Sequence, residues 1–227
     1  MNAAILISAN AEWQAVKPLF PEAQITHSPF GESFSLTPDT PDPWHLTLFH
    51  SGWGKISSAA VMQDVIDHDS SDLVVNLGTC GGFDGCVSQG DVILVEKTFV
   101  YDILELMEED DISPYYASSL DLSWLPEPYP FPVRRGILAS ADSDLLPEKI
   151  ALLKAKGAIA ADWESAALAW VAQKNGIRLL ILRAVSDVVY EQGSDAYNNY
   201  EVFKARTREI MKQLLDQLPG WLGAIRL

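Results

Sequence analysis

The sequence contains few of the residues that stabilise extracellular proteins or bind nucleic acids. Only two of its 227 residues are cysteines, Cys80 and Cys86, which is too few for a disulfide framework or a four-ligand zinc site. Its 31 acidic residues outnumber 16 basic ones, and the net charge of −15 disfavours nucleic acid or an anionic membrane as a partner. The N-terminus lacks a secretory signal, no apolar run is long enough to span a bilayer, and no G-x-S-x-G segment marks an ester hydrolase. We therefore expect a protein of the cytoplasm.

The residues that are present predict an α/β fold. Apolar side chains make up 48% of the chain, which argues against disorder, and the length suits one domain over residues 1–227. Short apolar strands alternate with helices in the pattern of a largely parallel sheet. The predicted strands are Ala3–Ser8, Trp44–His50, Leu73–Leu77, Asp91–Val100, Gly136–Ser140, Ala158–Ala161 and Leu179–Leu182. The predicted helices are Glu12–Leu19, Ile56–His68, Pro147–Lys156, Glu164–Ala172 and Tyr200–Leu218. Short strand pieces are expected over 27–38, an ordered excursion over 113–132, and a solvated acidic face at Glu108–Asp111.

Polar groups follow several of the predicted strands. They are Glu12, Thr79 within the glycine segment Gly78–Gly82, Glu164 in the first turn of the central helix, and Asp187. An acid early in a helix often does no more than complement the helix dipole, so each group alone is weak evidence. The carboxyl ends of parallel strands share one edge of the sheet, where open α/β sheets bind ligands. The shared edge therefore predicts a functional site.

These residue types suit the cleavage of a glycosidic bond. Such a reaction needs an acid that protonates the leaving group and a base that activates water. Asp187 can serve as the acid and Glu12 as the base, while Glu164 can accept hydrogen bonds from vicinal sugar hydroxyls. The glycine segment offers backbone N–H groups and the Thr79 hydroxyl to the sugar or the water. Nothing in these residues alone selects a nucleoside as the substrate.

Several motifs give the chain a resemblance to a known family. They are Ile7–Glu12, SGWGK at Ser51–Lys55, NLGTCGG at Asn76–Gly82, QGDVILVE at Gln89–Glu96, ADWESAA at Ala161–Ala167 and RAVSDV at Arg183–Val188. In this register the sequence resembles the purine nucleoside phosphorylase and hydrolase superfamily, and especially its methylthioadenosine/S-adenosylhomocysteine nucleosidases. The resemblance implies a three-layer α/β/α fold around a mixed, partly barrel-like sheet. It also implies catalysis without a metal or organic cofactor, and a homodimer in which a partner loop closes the pocket.

The resemblance also assigns roles to individual residues. It implies that Asp187 protonates the five-membered ring of the purine, Glu12 activates water and Glu164 holds the ribose hydroxyls. Ser186 is implied to support the base or the acid. The other residues implied to lie at the substrate are Thr79, Cys80, Gly81, Trp53, Trp163 and Leu145. Cys80 enters as a packing member of the glycine segment rather than as a nucleophile.

The same motifs favour water over phosphate as the nucleophile. Phosphorolytic relatives carry a Gly-Asp-Pro-x-Arg segment after the first strand, where this chain has Asn10–Trp13. They also place an arginine two residues before the glycine segment, where this chain has Asn76. A phosphate dianion needs charged donors, and Glu12 would repel it. We therefore expect a hydrolase, with a purine nucleoside phosphorylase as the alternative.

Departures from the nucleosidase pattern leave the substrate open. Tryptophan replaces methionine at Trp163, and Trp53 stands where the family has a small or aliphatic residue. Asp144, just before Leu145, takes the place of an aromatic that flanks the base. The leading interpretation is a nucleosidase for a 5′-modified purine nucleoside of the methylthioadenosine or S-adenosylhomocysteine type. Futalosine is an alternative substrate, and a nucleoside-binding protein with little turnover is an alternative of another class.

Overall fold

The structure is a computed structural model that describes residues 1–36, 44–107, 111–190, 192–194, 196–197 and 199–226. Its strands are β1 Asn2–Ile7, β2 Thr26–Ser28, β3 Gly31–Leu36, β4 His45–His50, β5 Leu73–Phe83, β6 Val92–Val100, β7 Ala117–Ser119, β8 Arg134–Ser140, β9 Ala158–Asp162 and β10 Leu179–Val189. The helices are α1 Asn10–Val16, α2 Gly54–His68, α3 Pro147–Ala155, α4 Ser165–Asn175 and α5 Tyr200–Ala224. Most of the predicted acidic face at 108–111 lies outside the described residues, as does the end of the strand region predicted over 27–38.

The described strands form one mixed sheet that closes partly on itself. Five of them run in the order β10-β6-β8-β9-β5, and β10 also pairs with β5, so these five complete a ring. Beyond β5 the sheet continues as an open arm through β1, β4, β3 and β2. The pairs β1–β5 and β5–β10 are parallel, whereas β6–β10 and β5–β9 are antiparallel. The prediction of a mixed, partly barrel-like sheet is therefore confirmed.

Helices cover both faces of this sheet. Side chains alternate along a strand, and in β1 Ala3 and Ile5 join the core beneath α1 and α5. Ala4 and Leu6 join the core beneath α2 and α4 on the other face. The helices of each face also pack on one another, α1 against α5 and α2 against α4. This arrangement confirms the predicted three layers.

Two strands are longer than predicted. The glycine segment was expected to end β5 at a turn, but the strand continues to Phe83. Likewise β10 continues to Val189, so Asp187 lies inside the strand, next to a bulge between Val185 and Asp187. The glycines serve close packing, because a Cβ on Gly78 would lie only 2.1 Å from an Arg183 guanidinium nitrogen.

Helix boundaries differ from the prediction in smaller ways. Glu164 is the N-cap residue before α4 rather than a member of its first turn. The first helix is shorter than predicted and ends at Val16, where a 3-10 turn over Lys17–Leu19 takes over. Helix α5 continues past its predicted end to Ala224, with Pro219 inside it. None of these shifts moves a predicted site residue away from the carboxyl edge of the sheet.

Candidate active site

A buried arginine lies at the centre of the predicted acidic residues. The Arg183 side chain on β10 has no exposure to solvent. One of its terminal nitrogens is 3.0 Å from Asp162 Oδ2 and 3.6 Å from Glu164 Oε2. The other terminal nitrogen is 3.7 Å from Glu12 Oε1. Glu12 follows β1, whereas Asp162 ends β9 and Glu164 comes two residues later. The guanidinium on β10 therefore ties three strands of the sheet edge together.

Glu12 is held firmly by the strand opposite it. Its Oε1 accepts hydrogen bonds from the Thr79 backbone N–H at 2.6 Å and from the Thr79 hydroxyl at 2.9 Å. Its Oε2 accepts from the Ala9 backbone N–H at 3.2 Å. Glu12 is 1% exposed, so its carboxylate has a fixed position at the amino end of α1. A base that must orient one water molecule needs such a position.

Glu164 lies where a negative charge is disfavoured. Burial raises the pKa of its carboxyl to about 8, against a lowering by Arg183, and the charges of Asp162 and Glu12 raise it further. Its Oε1 accepts a hydrogen bond from the Gly54 backbone N–H at 3.1 Å. The neutral carboxyl can donate as well as accept hydrogen bonds, which suits contact with hydroxyl groups.

Asp162 was not predicted as a site residue and has the most hydrogen bonds of the cluster. Its Oδ1 accepts from the Ser140 hydroxyl at 2.5 Å, and its Oδ2 accepts from the Ser165 hydroxyl at 2.5 Å. Ser165 in turn accepts a hydrogen bond from Arg183 Nε at 3.0 Å. Asp162 therefore acts as a fixed counter-ion that holds the Arg183 guanidinium within reach of Glu12 and Glu164.

Asp187 is held by two serine hydroxyls. Ser186 Oγ donates to Asp187 Oδ1 at 2.7 Å, and the same hydroxyl lies 3.3 Å from the Cys80 carbonyl oxygen. Ser194 Oγ donates to Asp187 Oδ2 at 2.5 Å. The Asp187 backbone pairs with Gly81 of β5. Cys80 itself is buried, and burial raises the pKa of its thiol, so it packs against the site without supplying a thiolate.

The separation of Glu12 from Asp187 follows from their common partner strand. Glu12 is bound to Thr79, and Asp187 is paired with Gly81, two residues further along β5. Two residues span about 7 Å of a β-strand. Glu12 follows β1 and Asp187 lies on β10, and both of these strands pair with β5. The structure thus brings Glu12, Thr79, Glu164 and Asp187 to one place, as their positions in the sequence predict.

The two predicted tryptophans lie on the solvent side of this cluster of acids. Trp53 and Trp163 each precede one partner of the hydrogen bond between Gly54 and Glu164, and their ring centroids are 6.3 Å apart with an interplanar angle of 32°. Trp53 is 61% exposed. Leu145 is buried, and its Cδ2 would lie 3.6 Å from a Cβ built on Gly81. The predicted contact residues therefore surround the acids on the tryptophan side and the Gly81 side.

Three cavities on the described part of the chain, of 490, 540 and 620 Å³, are lined by residues that include none of Glu12, Glu164 and Asp187. The site is recognised instead by the convergence of buried charged groups, which a folded chain seldom places together without a chemical use.

Comparison with known proteins places the chain in a family. The family model described as the phosphorylase superfamily matches residues 42–218, which is more than half of the chain. The chain belongs to the phosphorylase superfamily. The predicted resemblance is thereby confirmed at the level of the superfamily.

Its relatives in the superfamily carry nucleosidase names. A 5′-methylthioadenosine/S-adenosylhomocysteine nucleosidase of Buchnera aphidicola is 25% identical over 191 residues, which cover 75% of this chain and 80% of the relative. The enzyme of that name from Thermotoga maritima is 28% identical over 168 residues, covering 72% and 76%. A solved Streptococcus pneumoniae nucleosidase with a transition-state inhibitor has a TM-score of 0.78 at 20% identity, and the match covers 99% of each chain. These structural likenesses confirm the fold.

Sequence reasoning missed Arg183, Asp162 and Ser194 as parts of this superfamily site. A signal for Arg183 was present, because it is the one charged residue in the apolar run of β10 before Asp187. A charge in a buried strand requires a partner. Ser194 gave no such signal, since its contact with Asp187 depends on how the chain turns after β10.

Proposed function

We propose that this phosphorylase-superfamily member is a nucleosidase that hydrolyses the N-glycosidic bond of a 5′-modified purine nucleoside. The observation that carries the proposal is the placement of Glu12 and Asp187 on residues Thr79 and Gly81 of one strand. Their anchors are about 7 Å apart along β5. Two carboxyl groups held by neighbouring positions of one strand can serve the two faces of a sugar ring, one as the acid for the leaving group and the other as the base for an attacking water molecule.

In this proposal each acid has one task. Asp187 donates a proton to a ring nitrogen of the purine, so that the base leaves neutral as the bond to the sugar breaks. Glu12 accepts a proton from the water that attacks the sugar carbon. Glu164, in reach of the Gly54 N–H, binds the ribose hydroxyls. The acidic surroundings also favour the positive charge that develops on the sugar in the transition state.

Charge supports water rather than phosphate as the attacking group. Arg183 faces three acids, Glu12, Asp162 and Glu164, so the guanidinium is already neutralised. Asn76 is fully buried, and its side-chain amide donates to the Leu6 carbonyl oxygen at 3.0 Å. Neither group is placed to bind a phosphate dianion, which requires charged donors.

The names of the relatives and the tryptophans support a 5′-modified purine nucleoside as the substrate. The relatives in Buchnera and Thermotoga are named as nucleosidases of methylthioadenosine and S-adenosylhomocysteine. Trp53 and Trp163 form an apolar, partly exposed pair beside Glu164, where a substituent on the sugar can pack. Futalosine, which carries a large 5′ group and a 6-oxo purine, is the second candidate because the same pair can stack on that group.

We further infer that the chain works as a homodimer in the cytoplasm. Apolar side chains are exposed around the site in an entrance patch, which comprises Trp53, Ile56, Ile103, Leu104, Leu106 and Met107. Lys55 binds Asp102 at 2.6 Å, which brings the two parts of the patch together. Exposed apolar surface of this kind is typical of a subunit contact.

Free Cys80 and Cys86 agree with a reducing compartment, and the continuous sheet agrees with one domain over residues 1–227. Among the described residues no helix is long and apolar enough to cross a membrane.

A substrate screen with a matched variant tests the proposal. The full chain is incubated with methylthioadenosine, S-adenosylhomocysteine and futalosine, with and without inorganic phosphate, and free base is measured. We expect base release that does not depend on phosphate, and we expect Asp187→Asn to keep its fold but lose nearly all turnover, since an amide is not an acid. Release only with phosphate would make the protein a phosphorylase. Tight binding of a nucleoside without any release would make it a binding protein.

A further inference from the structure

Ser194 has no part in the roles assigned above, yet it contacts the residue on which bond cleavage depends. The turn after β10 places it there. Tyr190 and Gly193 exchange two backbone hydrogen bonds of 3.0 Å, and Gly193 has a φ of +102°, which favours glycine. The chain reverses at this point and brings the Ser194 hydroxyl to 2.5 Å from Asp187 Oδ2.

Neighbouring groups favour one direction for this hydrogen bond. The Ala196 backbone N–H donates to Ser194 Oγ at 3.1 Å. That bond occupies one of the two lone pairs of the Ser194 oxygen, and its own hydrogen is donated to Asp187 Oδ2. The Tyr197 hydroxyl donates to the Leu145 carbonyl oxygen, which holds the same segment against the wall of the site. Ser194 is therefore oriented as a donor, and a donor suits an Oδ2 that carries no proton.

The other oxygen of Asp187 has a more adaptable partner. Ser186 Oγ has one hydrogen but two acceptors in reach, Asp187 Oδ1 at 2.7 Å and the Cys80 carbonyl oxygen at 3.3 Å. When Oδ1 is bare, the hydroxyl can donate to it. When Oδ1 carries a proton, the hydroxyl can turn its hydrogen to Cys80. Ser186 thus suits both protonation states of Asp187, whereas Ser194, whose oxygen already accepts a hydrogen bond from Ala196, fits the bare Oδ2 better.

We propose that Ser194 is a positioning residue that makes Oδ1 the proton-carrying oxygen of Asp187 and stabilises the carboxylate after the proton has left. The proposal rests on the proposed nucleosidase function. In the step concerned, the proton on Oδ1 passes to a purine ring nitrogen, and the electron pair of the bond between sugar and base goes to the base. The Asp187 carboxylate that remains keeps the hydrogen bond from Ser194 on Oδ2.

Other ionisable groups near Asp187 do not change charge in the range where it is expected to act. Burial raises the pKa values of the Cys80 thiol on β5 and of the Tyr197 phenol on the covering segment, so both are neutral near pH 7. From α5, Arg206 donates to the Ser186 carbonyl oxygen at 3.4 Å and stays charged. Burial raises the pKa of the Glu164 carboxyl to about 8, so Glu164 would contribute to any kinetic pH profile of the protein. A direct signal from Asp187 is therefore needed.

The experiment observes Asp187 by carbon-13 NMR in the ligand-free full chain, with Asp187→Asn to assign its carboxyl resonance. Ser194→Ala should raise the midpoint of the Asp187 titration by about one pH unit, because the ionised form loses one donor. Ser194→Thr keeps the hydroxyl and should restore the midpoint. Ser71→Ala is the matched control, since Ser71 also donates to an aspartate, Asp69, at the opposite end of β5. It should leave the midpoint in place.

Kinetics of the same variants separate positioning from a merely structural role. Below the midpoint, Ser194→Ala should lower kcat by up to about tenfold with KM little changed, because the departing proton leaves a less stabilised carboxylate. An unchanged Asp187 midpoint in Ser194→Ala would overturn the proposal. A shifted midpoint with an unchanged kcat would overturn the catalytic part of it. If the wild-type protein releases no base from any nucleoside while the midpoint shifts, the proposed function fails and the contact between Ser194 and Asp187 stands.

Discussion

Glu164 shows at the scale of one residue how the site sets conformational stability against function. Its carboxyl is buried, and burial raises its pKa from an ordinary 4.5 to about 8. A carboxyl that keeps its proton in the folded protein but loses it in the unfolded chain favours folding at low pH. That contribution is lost as the pH rises from the unfolded value through the folded one.

We therefore predict a pH-dependent effect of Glu164→Gln. The free energy of unfolding of the wild type should fall, relative to that of the variant, between about pH 4.5 and pH 8, by a few kcal/mol in total. Urea unfolding at several pH values across this range measures the difference. Glu209→Gln, on an exposed face of α5, is the control, and its free energy of unfolding should change with pH in the same way as that of the wild type. If the free energies of unfolding of the wild type and Glu164→Gln differ by the same amount at pH 5 and pH 8.5, Glu164 is not protonated in the folded protein.

Arg183 is the cation that pairs with these acids. Its removal should lower the free energy of unfolding by more than the intact ion pairs contribute to it, because the acids are left buried without a partner. Arg183→Gln leaves Glu12, Asp162 and Glu164 without their common partner, and removing one member of a buried ion pair costs about 3–5 kcal/mol. Arg134→Gln removes an exposed ion pair with Asp91 at 3.3 Å and should change stability by less than about 1 kcal/mol. Urea unfolding at pH 7 compares the two variants. A cost of Arg183→Gln as small as that of Arg134→Gln would mean that the three acids are neutral without it.

At the scale of secondary-structure elements, β5 is the strand on which the site is built. It pairs with β1, β9 and β10, and its residues contact Glu12, Arg183 and Asp187. A side chain on Gly78 would lie 2.1 Å from Arg183 and 2.8 Å from Glu12 Oε1. Gly78 is therefore required by the site rather than by a turn.

Gly78→Ala tests this view of the strand. The added methyl group must displace Arg183 or Glu12, so we predict a loss of about 1–3 kcal/mol in stability and about 100-fold in base release. Gly223→Ala is the matched control, because a Cβ there meets nothing within 4 Å, and in helix α5 it should be neutral or stabilising by up to about 1 kcal/mol. Thermal unfolding and base release are measured for both variants. Full activity in Gly78→Ala would show that Arg183 can shift without harm.

The elements also show how far sequence reasoning extends. Apolar runs and motif register predicted the strands that form the centre of the sheet, and the placement of Glu12, Glu164 and Asp187 at its carboxyl edge. Local patterns misassigned the segment Gly78–Gly82, because glycine indicates a turn unless a distant side chain requires its small size. The arginine that requires it lies on β10, more than one hundred residues later. Ser194 was likewise missed, since only tertiary structure brings it to Asp187.

At the scale of the whole molecule, charge and apolar surface act in different directions. The net charge of −15 repels copies of the chain from one another, and salt screens that repulsion over about 10 Å or less. The entrance patch favours association instead: Leu106 and Met107 are 82% and 95% exposed. If the patch is the subunit contact, association should strengthen with added salt, because salt weakens the repulsion and leaves apolar burial in place.

A single charge in the patch should therefore dissociate the protein. Leu106→Glu adds a negative charge where apolar surface would be buried, and we predict that it shifts the sedimentation behaviour from a dimer to a chain of 25.0 kDa. Leu19→Glu, which changes an exposed leucine beyond α1 and outside the patch, should remain dimeric. Base release by Leu106→Glu should fall because the variant dissociates. It should recover in part at high protein concentration, where mass action restores the dimer. A wild-type protein that sediments as a monomer at every concentration would refute the subunit contact, and a monomeric Leu106→Glu with full activity would show that one subunit holds a complete site.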